Sequence, residues 1–342
     1  MLKALTEIFP KSQIFTIVHD QENFKEFSNK KIITSYIQNL PLGIEKYQWF
    51  LPLMPSAVEK FDLSEFDLII SSCSSFSKGV ITLPHQKHIC YCHTPTRYLW
   101  SDTRNYVEDL NFNKYFKKFI SIYLTKLRIW DQLAKERVDY FLANSDFVAD
   151  RIKKFYKKDS LVINPPVETN KFKIFPKTEN YYLTGGRLVP YKRFDLAVRA
   201  FSRLGIPLKI FGIGPEMEKL KSIAKPNIEF LGKISEQEQI ELFGKAIAFI
   251  NPQIEDFGIT AIESMASGRP VIAFGQGGAK ETIIENKTGK FFEEQVWEDL
   301  ANTVIRFEPE KFNPQEIKKH AEQFGKENFK KKIIEFVNQI QK

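Results

Sequence analysis

Two glutamates, Glu255 and Glu263, have the side-chain type and the spacing to bind a hydroxylated ligand. Glu255 follows an apolar run at 246–250, and Glu263 lies about one turn into a predicted helix at 260–267. Both can therefore project toward the same site, where a carboxylate accepts hydrogen bonds from the vicinal hydroxyls of a sugar or a ribose. The alternative is that Glu263 is an ordinary helix glutamate and Glu255 a capping residue. The neighbouring glycines and the preceding strand favour the binding interpretation.

The start of the same helix offers backbone groups suited to an anion. Gly258, Ile259 and Thr260 occupy the positions whose N–H groups have no partner inside the helix. These groups and the helix dipole favour negative charge at that end. We therefore expect a diphosphate to bind there.

A second loop carries two basic residues behind a pair of glycines. It follows the predicted strand 181–183 and contains Gly186, Arg187 and Lys192. The two cations could neutralise the charge that develops on a departing diphosphate. The alternative is a basic surface loop, but the order of strand, glycines and arginine favours the phosphate-binding interpretation. Another glycine-rich loop, at 211–215, also ends a predicted strand, although such a pattern alone is often only a turn.

In the first half of the chain, His93 and Arg97 follow a predicted strand at 88–92. His93 is suited to hydrogen-bond a sugar hydroxyl, and Arg97 to meet a phosphate on an acceptor. A metal site is the competing interpretation, since the ligand types His85, His88, Cys90, Cys92 and His93 cluster here. Strand alternation disfavours it, because it turns His93 away from the other strand residues, and no second pair of ligands follows downstream. No metal site is expected.

Residues 112–130 form a basic segment without acidic residues. Aromatic and aliphatic side chains are interleaved with its five cations, which are Lys114, Lys117, Lys118, Lys126 and Arg128. Such a helix can lie on an anionic membrane surface. Alternatively, it packs its apolar stripe on the core and leaves the lysines in water. Nucleic acid is not an expected partner, because no recognised binding module accompanies the charge.

The elements that carry these residues alternate between short apolar strands and helical patterns, which predicts an α/β fold with parallel sheets. Predicted helices include 146–157, 195–204 and 260–267. The predicted strands are 13–18, 66–71, 88–92, 140–143, 181–183, 208–211, 228–230, 246–250 and 270–273.

Two successive prolines, Pro165 and Pro166, make residues 164–176 the expected linker. We predict two doubly wound domains that face each other across a cleft, 1–165 and 166–325, with ligands at the carboxyl ends of the strands. A last helix, 326–342, is expected to pack back on the first domain.

The start of the chain departs from this pattern. Leu2, Leu5, Ile8 and Phe9 predict a helix before the first strand. A doubly wound domain normally begins with a strand and a glycine-rich turn. We therefore expect the first domain to be truncated by about one strand and its loop.

Composition limits the class of protein. The chain has 342 residues, 43% of them hydrophobic and 27% charged, which is typical of a globular protein. No apolar run is long enough to span a membrane, and the acidic Glu7 argues against a signal peptide. Three cysteines, an odd number, exclude a disulfide framework and suit the cytoplasm. A net charge of +8 favours an acidic partner, which could be a nucleotide, an anionic lipid surface or a nucleic acid.

Taken together, these segments resemble the retaining glycosyltransferases of family 4, which have the two-domain GT-B fold. Residues 186–193, Gly-Arg-Leu-Val-Pro-Tyr-Lys-Arg, look like that family's donor-phosphate loop. The span from Glu255 to Glu263 matches its motif of two glutamates separated by seven residues. Residues 230–235 and 277–282 are similar to further loops of the family. Residues 92–100 and 143–145 look like the bacterial mannosyltransferases of polysaccharide and lipid-linked glycan synthesis.

The resemblance implies a role for each residue. Arg187 and Lys192 would contact the donor diphosphate, Glu255 the transferred sugar and Glu263 the ribose. Backbone atoms of Gly232, Lys233 and Ile234 would contact the base, and His93 would lie beside the reacting sugar. The donor site would also include Gly186 and the helix start at 258–260.

The implied reaction moves a hexose, by resemblance mannose from GDP-mannose, to a glycan or lipid-linked acceptor with retention of configuration. No metal and no cofactor besides the nucleotide-sugar co-substrate are implied. The enzyme would be cytoplasmic, either free or peripheral on the cytoplasmic face of the membrane. Two alternatives stay open: a nucleotide-sugar-binding protein that is inactive because the first strand and loop are absent, and a GT-B sugar-nucleotide epimerase.

Overall fold

The computed structural model describes residues 1–103, 107 and 114–341. The chain divides into two compact units, Met1–Ile163 and Asn164–Lys342. This division falls at the start of the predicted linker 164–176. The predicted packing of residues 326–342 on the first domain stays a prediction.

In its described residues, the first unit contains two parallel sheets. One consists of β1 (Ile14–Thr16) and β2 (Ile32–Thr34), and the other has the order β3-β4-β5-β6. The four strands of the second sheet are β3 (Leu68–Cys73), β4 (Lys87–Cys92), β5 (Tyr140–Ala143) and β6 (Ser160–Val162). The helices of this unit within the described residues are α1 (Leu2–Ile8), α2 (Met54–Glu59), α3 (Lys114–Lys135) and α4 (Asp146–Tyr156).

Sequence explains the central strand β4 of this unit. Every residue after Lys87 is buried, as expected of a parallel strand covered on both faces. In the sheet register Cys92 pairs with Cys73 on one side and with Ala143 on the other. The loop that follows β4 therefore begins at the edge where three strands end together. Helix α4 starts beside this edge, where the Ser145 hydroxyl caps it by accepting a hydrogen bond from Val148 N at 3.1 Å.

The second unit is built on one parallel sheet with the order β12-β11-β10-β7-β8-β9. Its strands are β7 (Tyr182–Gly185), β8 (Leu208–Phe211), β9 (Ile228–Gly232), β10 (Phe249–Asn251), β11 (Val271–Phe274) and β12 (Gly289–Phe292). The chain runs outward from β7 through β8 and β9, then returns to β10 and runs outward on the other side. The order therefore reverses between β7 and β10, and ligands of such sheets bind where the order reverses.

Helices pack against this sheet around a core that includes Leu183, Phe201, Phe249 and Ile272. They are α5 (Phe194–Leu204), α6 (Met217–Ile223), α7 (Glu236–Lys245), α8 (Ile259–Ala266), α9 (Ala279–Thr282), α10 (Trp297–Ile305) and α11 (Pro314–Glu322). The last helix of the chain is α12 (Lys326–Ile340). Short 3-10 helices complete both units at Tyr36–Asn39, Tyr47–Leu53, Ser77–Gly79, Thr169–Lys171, Pro190–Lys192 and Pro309–Lys311.

The predicted α/β class is confirmed, with corrections to individual elements. The strand predicted at 246–250 begins only at Phe249, and the strand predicted at 66–71 runs from Leu68 to Cys73. Three strands were not predicted: β2, β6 and β12. The first two have three residues each, and β12 begins with a glycine, so none shows a clear alternating pattern.

Candidate active site

Glycines line the carboxyl edge of the second unit's sheet. Gly186 follows β7 with φ 132°, and Gly212 follows β8 with φ 108°. A Cβ atom on Gly212 would lie 1.8 Å from the carbonyl oxygen of Gly186, so the two loops touch backbone to backbone. Gly186 N donates to Phe211 O at 3.0 Å, and Gly212 N donates to Gly232 O at 2.6 Å. Only glycine fits this close packing.

The helix α8 begins at the same edge, after β10. Its N-cap, Gly258, has φ 94°, and no side chain caps the helix. Within the described part of the chain, the N–H groups of Gly258, Ile259 and Thr260 donate to no backbone or side-chain acceptor. Three unpaired N–H groups at a helix start can hold an anion.

An ion pair joins the loops after β7 and β10. The ammonium of Lys192 lies 2.9 Å from Glu255 Oε1, and these side chains are only 14% and 17% exposed. Gln253 Nε2 donates to the same oxygen at 3.1 Å. The backbone of Glu255 is fixed as well, because Gly278 N donates to Glu255 O at 2.9 Å. Since β7 and β10 flank the reversal of strand order, this pair lies where ligands of such sheets bind.

Glu263 lies farther along α8 and has a different partner. Gln239 Nε2 donates to Glu263 Oε2 at 3.0 Å. Burial raises the pKa of Glu263 to about 7, although the Gln239 hydrogen bond acts in the opposite direction. The carboxyl group therefore changes charge near neutral pH.

The remaining predicted donor residues lie on the loops around this edge. Arg187 and Lys233 are exposed, while Gly232 and Ile234 are half-buried. Gly232 has φ 68°, and a Cβ atom there would meet nothing within 4 Å. The space beside the Gly232 Cα is thus open.

In the first unit, His93 follows β4 and is held at three points. Its Nε2 shares a hydrogen bond with Ser72 Oγ at 2.9 Å, its N–H donates to Cys73 O at 2.7 Å, and its carbonyl accepts from Asn144 Nδ2 at 2.9 Å. Burial lowers the pKa of His93 to about 4, so the ring is neutral at pH 7. Arg97 is half-buried on the same loop.

One histidine of the competing metal interpretation has other partners. His88 is fully buried, and its ring nitrogens contact Ser71 Oγ at 2.9 Å and Arg137 O at 3.1 Å. The three cysteines are free and buried. Among residues 1–103, 107 and 114–341, no three His, Cys, Asp or Glu side chains are grouped as a metal ion requires.

The basic segment 112–130 is partly outside the described residues, since 112 and 113 are not described and neither are the side chains of Lys114, Tyr115, Phe116 and Phe119. The rest belongs to α3, which buries Leu124 and Leu127 and leaves Ile122, Ile129 and Leu133 at 57%, 59% and 60% exposure. No helix within the described residues is long and apolar enough to cross a membrane.

Sequence reasoning missed the residues that orient the predicted ones. Gln253 and Gln239 contact the two glutamates, and Ser72 and Asn144 contact His93. Only Gln253 could have been suspected from the sequence, because it lies two residues before Glu255, the residue it contacts. The others are distant in sequence from the groups they contact.

Comparison with known proteins shows the family and the fold. Residues 14–171 match the family described as Glycosyltransferase Family 4, and residues 167–331 match Glycosyl transferases group 1. The alpha-1,3/1,6-mannosyltransferase ALG2 of Dictyostelium discoideum is 24% identical over 71% of this chain and 66% of its own length. The GDP-mannose-dependent alpha-(1-6)-phosphatidylinositol monomannoside mannosyltransferase of Mycobacterium tuberculosis is 30% identical over 41% of this chain and 44% of its own length. The matched region thus spans less than two thirds of either relative.

Among solved structures, the sucrose-phosphate synthase of Thermosynechococcus elongatus superposes with a TM-score of 0.78 and 18% identity, covering 99% of this chain and 92% of that one. This likeness shows the fold, with two Rossmann-like units. The two family matches together cover residues 14–331, and the chain belongs to the family 4 glycosyltransferases with the GT-B fold.

Proposed function

We propose that the protein is a retaining, metal-independent glycosyltransferase that moves a hexose, mannose from GDP-mannose, to a glycan or lipid-linked acceptor. The observation that carries this proposal is the Lys192–Glu255 pair of 2.9 Å beside the open start of α8. A cation, a carboxylate and free N–H groups at one sheet edge suit a ligand with both phosphates and hydroxyls. The two mannosyltransferase relatives support the choice of mannose, and the name of one of them supports GDP-mannose.

In this proposal the donor lies along the carboxyl edge of the second sheet. The diphosphate binds the N–H groups at 258–260, with Arg187 and Lys192 supplying positive charge and Gly186 allowing close approach. Glu255 accepts hydrogen bonds from the transferred sugar and Glu263 from the ribose. Backbone atoms of Gly232, Lys233 and Ile234 contact the base.

The chemical step breaks the bond between the anomeric carbon and the phosphate oxygen, and the nucleoside diphosphate leaves with the bonding electrons. The acceptor oxygen forms the new bond on the same face, and its proton passes to the leaving phosphate. Positive charge from Lys192, Arg187 and the start of α8 stabilises the leaving group without a metal. His93, neutral at pH 7, hydrogen-bonds the reacting sugar, and Arg97 binds a phosphate of the acceptor.

A donor screen tests this function. GDP is expected to raise the melting temperature of the protein more than UDP does, and GDP-mannose with a lipid-linked acceptor is expected to release GDP and lengthen the glycan. Release of GDP without acceptor, or conversion of the sugar nucleotide alone, would favour an epimerase. Binding of GDP without transfer to any acceptor would favour the inactive binding protein.

The raised pKa of Glu263 gives a prediction about pH. Because the ribose hydroxyls donate to a carboxylate, GDP affinity is expected to rise as the pH increases from 6 to 8 through the Glu263 pKa of about 7. Titration calorimetry at several pH values measures this. In the Glu263→Gln variant the rise should be smaller than in the wild type, because only the titration of the GDP phosphate remains. An equal rise in the two proteins would contradict the assignment.

The stability of the free protein provides a control with a defined sign. The pKa of Glu263 rises on folding from a usual value of 4.5 to about 7. The ionised group therefore destabilises the folded state increasingly as the pH rises from 4.5 to above 7. We therefore expect Glu263→Gln to be more stable than the wild type, by a larger margin at pH 8 than at pH 6. Thermal unfolding without ligand measures this difference in melting temperature.

We also propose that the enzyme works at the cytoplasmic face of an anionic membrane, which α3 contacts. Ile122, Ile129 and Leu133 lie on one exposed face of α3, and two exposed lysines, Lys118 and Lys126, lie beside them. Exposed apolar side chains next to cations are typical of helices that bind at a lipid interface.

Vesicle sedimentation tests this contact. The wild type is expected to sediment with vesicles that contain phosphatidylglycerol, and the triple serine variant at 122, 129 and 133 should bind at least about tenfold more weakly. Ile305→Ser, which removes a side chain of 64% exposure in the second unit, is the matched control. Equal binding of the triple variant and the wild type, or equal binding to neutral vesicles, would contradict the proposal.

A further inference from the structure

Side chains from three elements hold the loop 93–101, which follows β4 in the first unit. Arg128 Nε on α3 donates to Leu99 O at 2.8 Å. Arg151 on α4 donates to Thr94 Oγ1 at 3.1 Å and to Ser101 Oγ at 2.6 Å, near the two ends of the loop. From the segment after β3, Ser75 Oγ shares a hydrogen bond with Tyr98 OH at 2.7 Å. The loop is thus fixed along most of its length.

Two further residues of the loop, Thr96 and Trp100, contact Asp131 of α3, which is 0% exposed. Its Oδ1 accepts from the Lys78 ammonium and from Thr96 Oγ1, the latter at 3.2 Å. Its Oδ2 accepts from Trp100 Nε1 at 2.8 Å. One carboxylate therefore joins the segment after β3, the helix α3 and two residues of the loop.

Burial makes these hydrogen bonds strong. A carboxylate inside a protein needs a counterion and further donors, and hydrogen bonds to a charged group are stronger in a medium of low dielectric constant. Lys78, itself 1% exposed, is the counterion. The further donors are Thr96 and Trp100, which lie on either side of Arg97. A loop that moved away would leave the buried carboxylate without these donors, so Asp131 fixes where the loop lies.

The hydrogen bonds to Asp131 fix the backbone turn that begins at Arg97. The carbonyl of Arg97 accepts from the N–H groups of Trp100, Ser101 and Asp102 at 3.2, 3.1 and 2.9 Å. The residue therefore begins a tight turn whose two flanks, Thr96 and Trp100, are bound to Asp131. The half-buried Arg97 side chain leaves the turn from a backbone that is fixed on both sides.

We propose that Asp131 is a positioning residue, which acts through Thr96 and Trp100 to hold Arg97 in place for the acceptor. The assignment of a role to Arg97 rests on the proposed function. The positioning itself rests on the contacts within the first unit. Sequence inspection gives no hint of it, because Asp131 lies just beyond the basic segment 112–130 and 31 residues after Trp100.

Conservative variants of the loop residues test the proposal without disturbing the buried ion pair. Trp100→Phe keeps an aromatic ring against Phe155 and removes the Nε1 donor, and Thr96→Val removes the hydroxyl. Trp130→Phe is the matched control. Trp130 lies on α3 beside Asp131, and its Nε1 also donates to a carboxylate oxygen, Glu59 Oε1, at 2.8 Å. That bond does not involve the loop.

Two readouts are needed. Hydrogen exchange of the amides at 93–101 is expected to speed up about tenfold or more in Trp100→Phe and Thr96→Val, and to stay as in the wild type in Trp130→Phe. In the transfer assay, the two loop variants should raise the acceptor KM and lower kcat about tenfold or more, since misplaced groups cost rate, while GDP affinity is unchanged.

Wild-type exchange at 93–101 in both loop variants, or equal loosening in Trp130→Phe, would overturn the proposal. Loosening of the loop without any change in acceptor KM or kcat would overturn it too, because the loop would then be held for structural reasons alone. A wild-type protein that binds GDP but transfers no sugar would refute the proposed function, and hydrogen exchange would still decide whether Asp131 anchors the loop.

Discussion

Replacing Glu255 by glutamine is expected to lower kcat about a hundredfold or more, on the scale of losing one positioned group in a transition state. Glutamine has nearly the same size, so the loop after β10 should keep its shape. The substitution removes the negative charge that faces Lys192 and one of the acceptors for the transferred sugar. Steady-state release of GDP from GDP-mannose in the presence of acceptor measures the effect.

The controls separate chemistry from folding. Circular dichroism and GDP affinity should be close to those of the wild type, because the diphosphate and the base contact other residues. Glu229→Gln is the matched variant, since Glu229 is paired with Lys209 at 3.8 Å in the same unit but is 60% exposed. A surface pair of this kind contributes little, and this variant should turn over normally. A Glu255→Gln enzyme with near-wild-type kcat would remove the carboxylate from the mechanism.

The meeting of Glu255 and Lys192 could be predicted in part from the sequence. Each lies shortly after an apolar run, and parallel strands end at the same edge of a sheet, so the two loops were expected to share one side. The sequence does not show that β7 and β10 are neighbours, because the order of strands depends on how the helices pack. The direct ion pair of 2.9 Å is a result of that order.

The two glutamates show where sequence reasoning ends. Their spacing suggested that both would face one ligand, and the structure gives each a different polar partner, Gln253 for Glu255 and Gln239 for Glu263. Gln239 lies on α7, and nothing in a linear pattern links that helix to α8. The raised pKa of Glu263 has the same origin, since burial depends on the packing of the whole unit.

For the first unit, the strand end that carries His93 was predictable, and the network that holds it was not. An apolar run followed by polar residues marks the end of β4. Asp131 is separated from Thr96 and Trp100 by the whole segment that leads to α3, so only the folded chain brings them together. Residues 104–106 and 108–113 lie outside the described part of the chain.

Replacing Lys192 by alanine is the second large expected effect. Lys192 is a half-buried ammonium 2.9 Å from Glu255, and its removal leaves that carboxylate without its cation and the leaving diphosphate without one positive charge. We expect kcat to fall about a hundredfold or more. Lys192→Arg should restore part of the rate, because it keeps the charge but not the shape. Lys209→Ala, which removes the cation of the pair with Glu229, should have little effect.

A double-mutant cycle decides whether Lys192 and Glu255 act as one unit. If the two residues act together as an ion pair, each single change already breaks the pair. The fold-decrease in kcat of the double variant Lys192→Ala/Glu255→Gln should then be far smaller than the product of the two single fold-decreases. Losses that multiply would mean that the lysine acts on the phosphate and the glutamate on the sugar independently. In that case both residues would still belong to the donor site, but the contact between them would not contribute to the rate. Near-wild-type rates in both single variants would refute the proposed donor site as a whole.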